Sequence, residues 1–300
     1  MSNQPRNYFQ GKASATAGRG DFASIPKGDR VEFYHRSIVL ARIFAAPSSC
    51  WVLKGGSALV WRNFGARSTR DLDIFNQSTQ DIRKAIQDFE AALNEVSTAP
   101  RDVGFKCESN PDSVTVAGNR QSTSIRVHLI HESGRRIPSP ISIDLVVGCQ
   151  VTGDIEQAPA RPLEEVLQTS LPPVLLYPLV DHLADKVAAT MQVYSYVGGQ
   201  KPSTRVKDLV DIVHMALTES IDGRQLREAL ESERLERGLS PYSDGFVCPE
   251  AWALEYEKKK TKKGKAPESY AEALSIAKAL LDPAIRGEAD GRTWVQAEWK

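Results

Sequence analysis

The sequence predicts an α+β fold, a small mixed sheet with flanking helices followed by a mainly helical C-terminal domain. Three observations carry this expectation. Short apolar or alternating stretches lie between residues 51 and 148: WVLK, RDLDIF, VGFKCES, SVTVAG, SIRVHLIH and ISIDLVVG. Their length and period of two are those of strands. Apolar residues at helical spacing interrupt them. Beyond a proline-rich connection at 159–178 the pattern turns helical, over about 179–195, 204–218, 222–237 and 267–281. The expected organisation is a flexible arm at 1–28, an α/β domain at 29–158, the connection at 159–178 and a helical domain at 179–300.

Each element has a local cause. Residues 1–28 are polar and rich in Gly, Ser and Ala, too poor in apolar surface to pack. From Val31 to Ala46 apolar residues recur at helical spacing until Pro47 stops them. WVLK ends at Gly55-Gly56, which suits a strand turning sharply into a helix over SALVWRNF, closed by Gly65. Ser78 reads as the N-cap of a helix through DIRKAIQDFEAALNEV, with Asp81 in its first turn.

Composition narrows the function. The 300 residues carry 38 Lys+Arg and 38 Asp+Glu, so the net charge is zero, and a nucleic-acid partner must be held by a local basic patch. The basic run EKKKTKKGK, with lysines from Lys258 to Lys265, is such a candidate, although runs of this kind are commonly solvated loops. Four cysteines at 50, 107, 149 and 248 show no metal spacing and read as free thiols. No apolar run is long enough for a membrane span, and the first residues lack the apolar core of a signal peptide. A cytoplasmic protein is the expectation.

The stretch LKGGSALVWRNFGARSTRDLDIF concentrates the chemistry. Asp71 and Asp73, two apart on a strand, share a face. Carboxylates gathered there repel unless a cation lies between them, and Mg²⁺ (or Mn²⁺) binds such a pair together with phosphate oxygens. Asp144, inside ISIDLVV, is costly in an apolar strand unless it ligates a metal or pairs with a base such as Arg126. Gly55, Gly56 and Ser57 place a closely approachable backbone and a helix N-terminus where a phosphate can sit. In the second half, Lys186 lies beside the apolar stripe Leu179, Leu183, Val187 and Met191. Its ammonium is either turned toward a phosphate or carried to the surface by its stem. Asp208 and Asp211 share a helix face with Arg205, for which Asp211 is a candidate structural partner.

In this order, LKGGSALVWR…RSTRDLDIF, ISIDLVVG, YPLVDHLADKVAA and STRVKDLVDIV resemble the AbiEii-type nucleotidyltransferase toxins, over residues 50–217. That family includes mycobacterial nucleotidyltransferase toxins, and its core is similar to the DNA polymerase β superfamily. The resemblance implies that Gly55, Gly56 and Ser57 hold triphosphate and that Asp71 and Asp73 bind Mg²⁺, with Asp144 a less secure third ligand. It implies that Lys186 contacts the nucleotide phosphates and that Asp208 is an essential acid. Arg67 and Thr69 fall on the family's R-x-[ST]-x-D-x-D pattern, Thr69 being a candidate for phosphorylation by a cognate antitoxin. The implied function is a toxin of a type IV-like toxin–antitoxin or abortive-infection system. It would transfer nucleotides from an NTP to RNA, in particular tRNA 3′ ends. Rival readings keep the fold but change the acceptor to a protein hydroxyl or an aminoglycoside-like small molecule, or make the chain an inactive nucleotide-binding module.

Overall fold

The computed structural model describes residues 27–45, 50–63, 69, 71–95, 103–110, 113–131, 134, 136, 139–160, 170–196, 199–258 and 264–300. The expected arm therefore lies almost wholly outside the described residues. The chain divides into two compact units. One comprises Met1–Ala58, Ser68–Cys149 and Glu156–Leu176, and the other Leu59–Arg67, Gln150–Ile155 and Tyr177–Lys300.

In order, the first part of the chain forms α1 (Lys27–Ala45), β1 (Trp51–Lys54), α2 (Gly55–Arg62), β2 (Leu72–Asn76), α3 (Ile82–Asn94), β3 (Val103–Ser109), β4 (Thr115–Ala117), β5 (Arg120–His131), β6 (Ile141–Val147), β7 (Glu156–Ala158) and β8 (Val174–Leu176). These strands make one mixed sheet in the order β3-β5-β6-β2-β1-β8-β7, with β4 added alongside β5. Strand β2 runs parallel to β6 and antiparallel to β1. Strands β7 and β8, three residues each, are not signalled in the sequence, because they are too short to show a period of two and prolines flank them.

One face of this sheet is dry and the other is polar. Along β6, Ile141, Ile143, Leu145 and Val147 are buried, while Ser142, Asp144 and Val146 on the alternate face are only half-buried. Helix α3 packs on the dry face through Ile82, Ala85, Ile86, Phe89, Ala92 and Leu93, positions repeating every three to four residues. Phe89 meets Trp51 of β1 edge to face, with ring centroids 5.6 Å apart. Truncating Phe89 to alanine leaves a cavity that costs about 3–5 kcal/mol. The N-cap of α3 is Asp81, whose carboxylate accepts from the Arg83 amide, and not Ser78. Ser78 instead donates its amide and hydroxyl to Asn76 Oδ1, tightening the turn after β2.

The second unit contains α4 (Leu179–Met191), the hairpin β9 (Val193–Tyr196) and β10 (Gly199–Pro202), α5 (Val206–Thr218), β11 (Ile221–Asp222), α6 (Gly223–Glu236), α7 (Trp252–Lys258), α8 (Tyr270–Ile285), β12 (Thr293–Val295) and β13 (Glu298–Trp299). It is less purely helical than the sequence pattern implies. The extra strands are two to four residues long, too short to establish a period of two. Strands β11, β12 and β13 form a small sheet that seats Trp294 in the helical core, where its indole N–H donates to the Ala216 carbonyl at 2.7 Å. Buried Trp252 likewise donates to the Ser203 carbonyl at 2.8 Å, so both large rings satisfy their polar handles.

Candidate active site

The glycine turn has no loop: β1 ends at Lys54 and α2 starts at Gly55. Gly55 has φ +58°, and a Cβ there would stand 1.9 Å from Asp73 Oδ2. Only glycine allows the D-x-D carboxylate to lie directly over this turn. A Cβ on Gly56 would lie 2.9 Å from Thr69 Cβ and 3.0 Å from its hydroxyl oxygen, so Thr69 packs on the same turn. Buried Ser57 donates its hydroxyl to the Asp71 carbonyl at 3.0 Å, and Arg36 of α1 donates to the Thr69 carbonyl. The turn and the start of β2 are thereby tied together, with the first amides of α2 lacking partners within their own helix.

The acids lie in a row across the polar face. Asp73 is the register partner of Asp144 on β6 and of Lys54 on β1, and Asp144 is the partner of Ser124 on β5. Neighbouring strands are about 4.8 Å apart, so Asp73 and Asp144 are side by side. Asp144 Oδ1 accepts from the Ser124 hydroxyl at 2.6 Å. The alternative pairing of Asp144 with Arg126 is not found: Arg126 is exposed and has no hydrogen-bond or ion-pair partner among the described residues. Asp71 stands exposed just before β2 rather than on the strand. Among the described residues no three His, Cys, Asp or Glu side chains gather closely enough to hold a metal ion. The expected three-acid cluster is therefore not drawn together. Asp71 precedes the strand, and Asp144 leans on a serine.

Lys54 is a residue the sequence patterns do not single out. Only 7% of it is exposed, and its ammonium lies 3.5 Å from Cys149 Sγ. The signal was a lysine closing an otherwise apolar four-residue strand immediately before the glycine pair. The four cysteines are free, as their spacing implies.

The helical unit assembles a second charged cluster. Lys186 of α4 reaches Asp211 Oδ2 at 2.6 Å and Asp208 Oδ1 at 3.3 Å, both on α5. The other Asp208 oxygen accepts from Arg205 Nε at 2.6 Å. Lys186, Asp208 and Asp211 are buried, whereas the Arg205 side chain is 58% exposed. The Lys186 ammonium is thus not carried to the surface by its stem. Asp211 partners Lys186, and Arg205 is held by Asp208 instead. Burial pushes the Asp208 carboxyl up, but Lys186 and Arg205 outweigh it, and the group titrates below its ordinary value. Asp181, also buried, accepts from the Thr152 amide and hydroxyl and the Gly153 amide, fixing that loop to α4.

Arg67 lies outside the described residues. Of the lysine run, Lys258 ends α7 and the Lys265 amide donates to His214 Nδ1 at 3.2 Å.

Comparison with known proteins places this geometry. The family model described as "Nucleotidyl transferase AbiEii toxin, Type IV TA system" matches residues 38–289. The chain belongs to that family. The match extends beyond residues 50–217, taking in the C-terminal part of α1 and most of the helical unit. AbiEii chains are nucleotidyltransferase toxins of type IV toxin–antitoxin systems, which implies an NTP substrate and a cognate antitoxin. No curated protein matches the chain in sequence. Among solved structures, MenT4, a nucleotidyltransferase toxin from Mycobacterium tuberculosis H37Rv, superposes with a TM-score of 0.53 at 14% identity. That alignment covers 89% of this chain and 86% of MenT4. JHP933 from Helicobacter pylori aligns at 15% identity over 69% of this chain and 78% of its own, with a TM-score of 0.34. At 14% identity the likeness to MenT4 shows a shared fold. Among the described residues no helix is long and apolar enough to cross a membrane.

Proposed function

We propose that this AbiEii chain transfers a nucleotide from an NTP to an RNA acceptor, the 3′ end of tRNA, in a reaction that needs Mg²⁺ or Mn²⁺. Modified acceptor ends would block aminoacylation and stop growth. The observation that carries the proposal is the register of Asp73 with Asp144 directly beside the Gly55–Gly56 turn.

Asp73 and Asp144, with Asp71 close in sequence, form a donor set of hard carboxylate oxygens, the kind a small divalent cation takes. The cation would neutralise charge developing on the triphosphate. The chain's own groups do the rest. Amides of the α2 N-terminus receive phosphate oxygens, and the glycines permit their close approach. The terminal hydroxyl of the acceptor attacks the α-phosphorus. A new O–P bond forms while the bond to pyrophosphate breaks, and the hydroxyl proton passes to the Asp144 oxygen not held by Ser124. Such chemistry rests on positioning and charge neutralisation and needs no covalent nucleophile. In the helical unit Asp208 has a positioning role, sharing its oxygens between Lys186 and Arg205. Thr69, packed on the phosphate-binding turn, is the regulatory candidate. A phosphate there places about −1.5 to −2 charges where the triphosphate must sit. Intact-mass analysis after co-expression with the cognate antitoxin will show that added phosphate at Thr69 or its absence.

The deciding experiment incubates purified protein with each labelled NTP, Mg²⁺ and either total RNA or total protein. Label at tRNA 3′ ends supports the proposal. Label confined to protein transfers the activity to the protein-modifying reading. Bound NTP without transfer leaves an inactive nucleotide-binding module.

A further inference from the structure

The polar face continues beyond the acids. An open groove of about 840 Å³ runs from Asp73 and Asp144 across β5 toward β3 and β4, lined mainly by hydroxyls, among them Ser122, Ser124, Ser142 and Thr115. The sheet order gives this groove a direction. Proceeding β5-β6-β2-β1, the glycine turn lies one strand beyond Asp73 on one side, and the groove opens one strand beyond it on the other. A triphosphate seated on the turn leaves the groove to whatever brings the attacking hydroxyl.

Beyond the acid row the lining suits the sugar and phosphate oxygens of a nucleic acid. Glu108, the acid of the far wall, is already answered by Lys106 at 3.4 Å and His128 at 3.3 Å. The neighbouring His128 and then Lys106 hold its carboxyl below the usual range. Arg126 is left as an exposed guanidinium with no ion-pair or hydrogen-bond partner among the described residues. It stands two residues from Ser124 on the same strand face, about 7 Å along the sheet from the acid row. Uncharged hydroxyls suit sugar and phosphate oxygens, and Val146 is the apolar member of the lining, so a hydrophobic peptide side chain has little to rest on. An arginine fork matches a phosphodiester.

We propose that this groove is the acceptor subsite and that Arg126 grips a backbone phosphate of the RNA strand whose terminal hydroxyl lies at Asp144. This rests on the nucleotide-transfer reading above and adds to it the place and the grip of the acceptor.

The test measures two quantities separately for wild type, Arg126→Gln and Arg126→Lys. The first is the Kd of a labelled NTP with Mg²⁺ and no acceptor, and the second is the KM for unfractionated tRNA over a salt series. The expectation for Arg126→Gln is a tRNA KM raised about tenfold, as for a lost charge-assisted contact. The slope of log KM against log salt should become shallower by about 0.7, one phosphate contact on a single strand. The NTP Kd should stay within about twofold, and Arg126→Lys should recover most of the salt slope. Unchanged KM and slope in Arg126→Gln, with wild type active on tRNA, overturn the groove assignment while the transfer reading stands. A parallel loss of NTP affinity overturns it too, moving Arg126 to the triphosphate. Wild-type protein that transfers nothing to tRNA overturns both.

Discussion

The two units treat the same chemical groups in opposite ways. Asp71, just before β2, is exposed, and on the open sheet face Asp144 is half-buried with a single serine hydroxyl on one oxygen. In the helical unit, Asp208 and Asp211 are 2% and 1% exposed and are enclosed by Lys186 and Arg205. Acids left open to solvent keep their lone pairs for a cation and a substrate. Acids enclosed with a lysine have already used theirs, and they hold α4 against α5. On the proposed function, the difference separates the groups assigned to chemistry from those that position the helices, although D-x-D and D-x-x-D look equally functional when read as letters.

The largest effect that would sharpen this contrast comes from Gly55→Ala. The new methyl meets Asp73 Oδ2, so the carboxylate must move, and a displacement of about 1 Å at a reacting centre costs on the order of 100-fold in rate. The left-handed backbone adds only about 1–2 kcal/mol of instability. Transfer assays beside thermal melts should therefore find a folded, nearly inactive protein.

Lys186→Met probes the other side. It leaves Asp211 buried without its cation, and breaking such a pair costs about 3–5 kcal/mol. Both Lys186 and Asp208 are buried, so replacing either carries a stability cost beside any cost to activity. The double variant Lys186→Met with Asp211→Leu should recover much of that loss, since apolar replacements of buried ion pairs are often neutral. Denaturant titration checks both, and equal instability of single and double variants would break the comparison.

A smaller effect is expected from pH. The Asp208 carboxyl titrates below its ordinary 3.8 in the folded state. Its contribution is therefore complete above the unfolded value and lost only as pH falls through the lowered one. Melting curves from pH 7 down to 3 should show no Asp208-dependent loss until the pH is below about 4, and Asp208→Asn should remove that acid-side step. The smallest effect belongs to the lysine run. Neutralising Lys258 and Lys265 should make the salt slope for tRNA shallower by less than about 0.9 per lysine, with NTP affinity unchanged.

Much of the fold and part of the candidate site were legible in the sequence. The strand of Asp144 alternates cleanly because one face is buried and the other is wet, whereas the strand of Asp73 is buried on both faces beyond that residue. The register of β6 follows from that alternation, and the glycine pair marks the turn because no other residue tolerates Asp73 so close. Lys54 escaped notice because a lysine at a strand end is usually solvated, and its burial depends on neighbours from distant segments. The pairing of Lys186 with Asp211 was hidden for the same reason: helical spacing shows which residues share a face, but not which face meets which. Strand β11 pairs with β12 about seventy positions away, beyond the reach of any local pattern, whereas β12 and β13 form a local hairpin.

The central claim is that the carboxylates of the open face carry the chemistry and the buried charges carry the fold. Its most direct test is Mg²⁺-dependent transfer of labelled nucleotide to tRNA by Asp73→Asn, measured beside its thermal melt and that of Lys186→Met. The account predicts that Asp73→Asn loses transfer while melting as wild type does, and that Lys186→Met melts lower by on the order of 10 °C. Wild-type turnover by folded Asp73→Asn, or a Lys186→Met protein as stable as wild type, would contradict it.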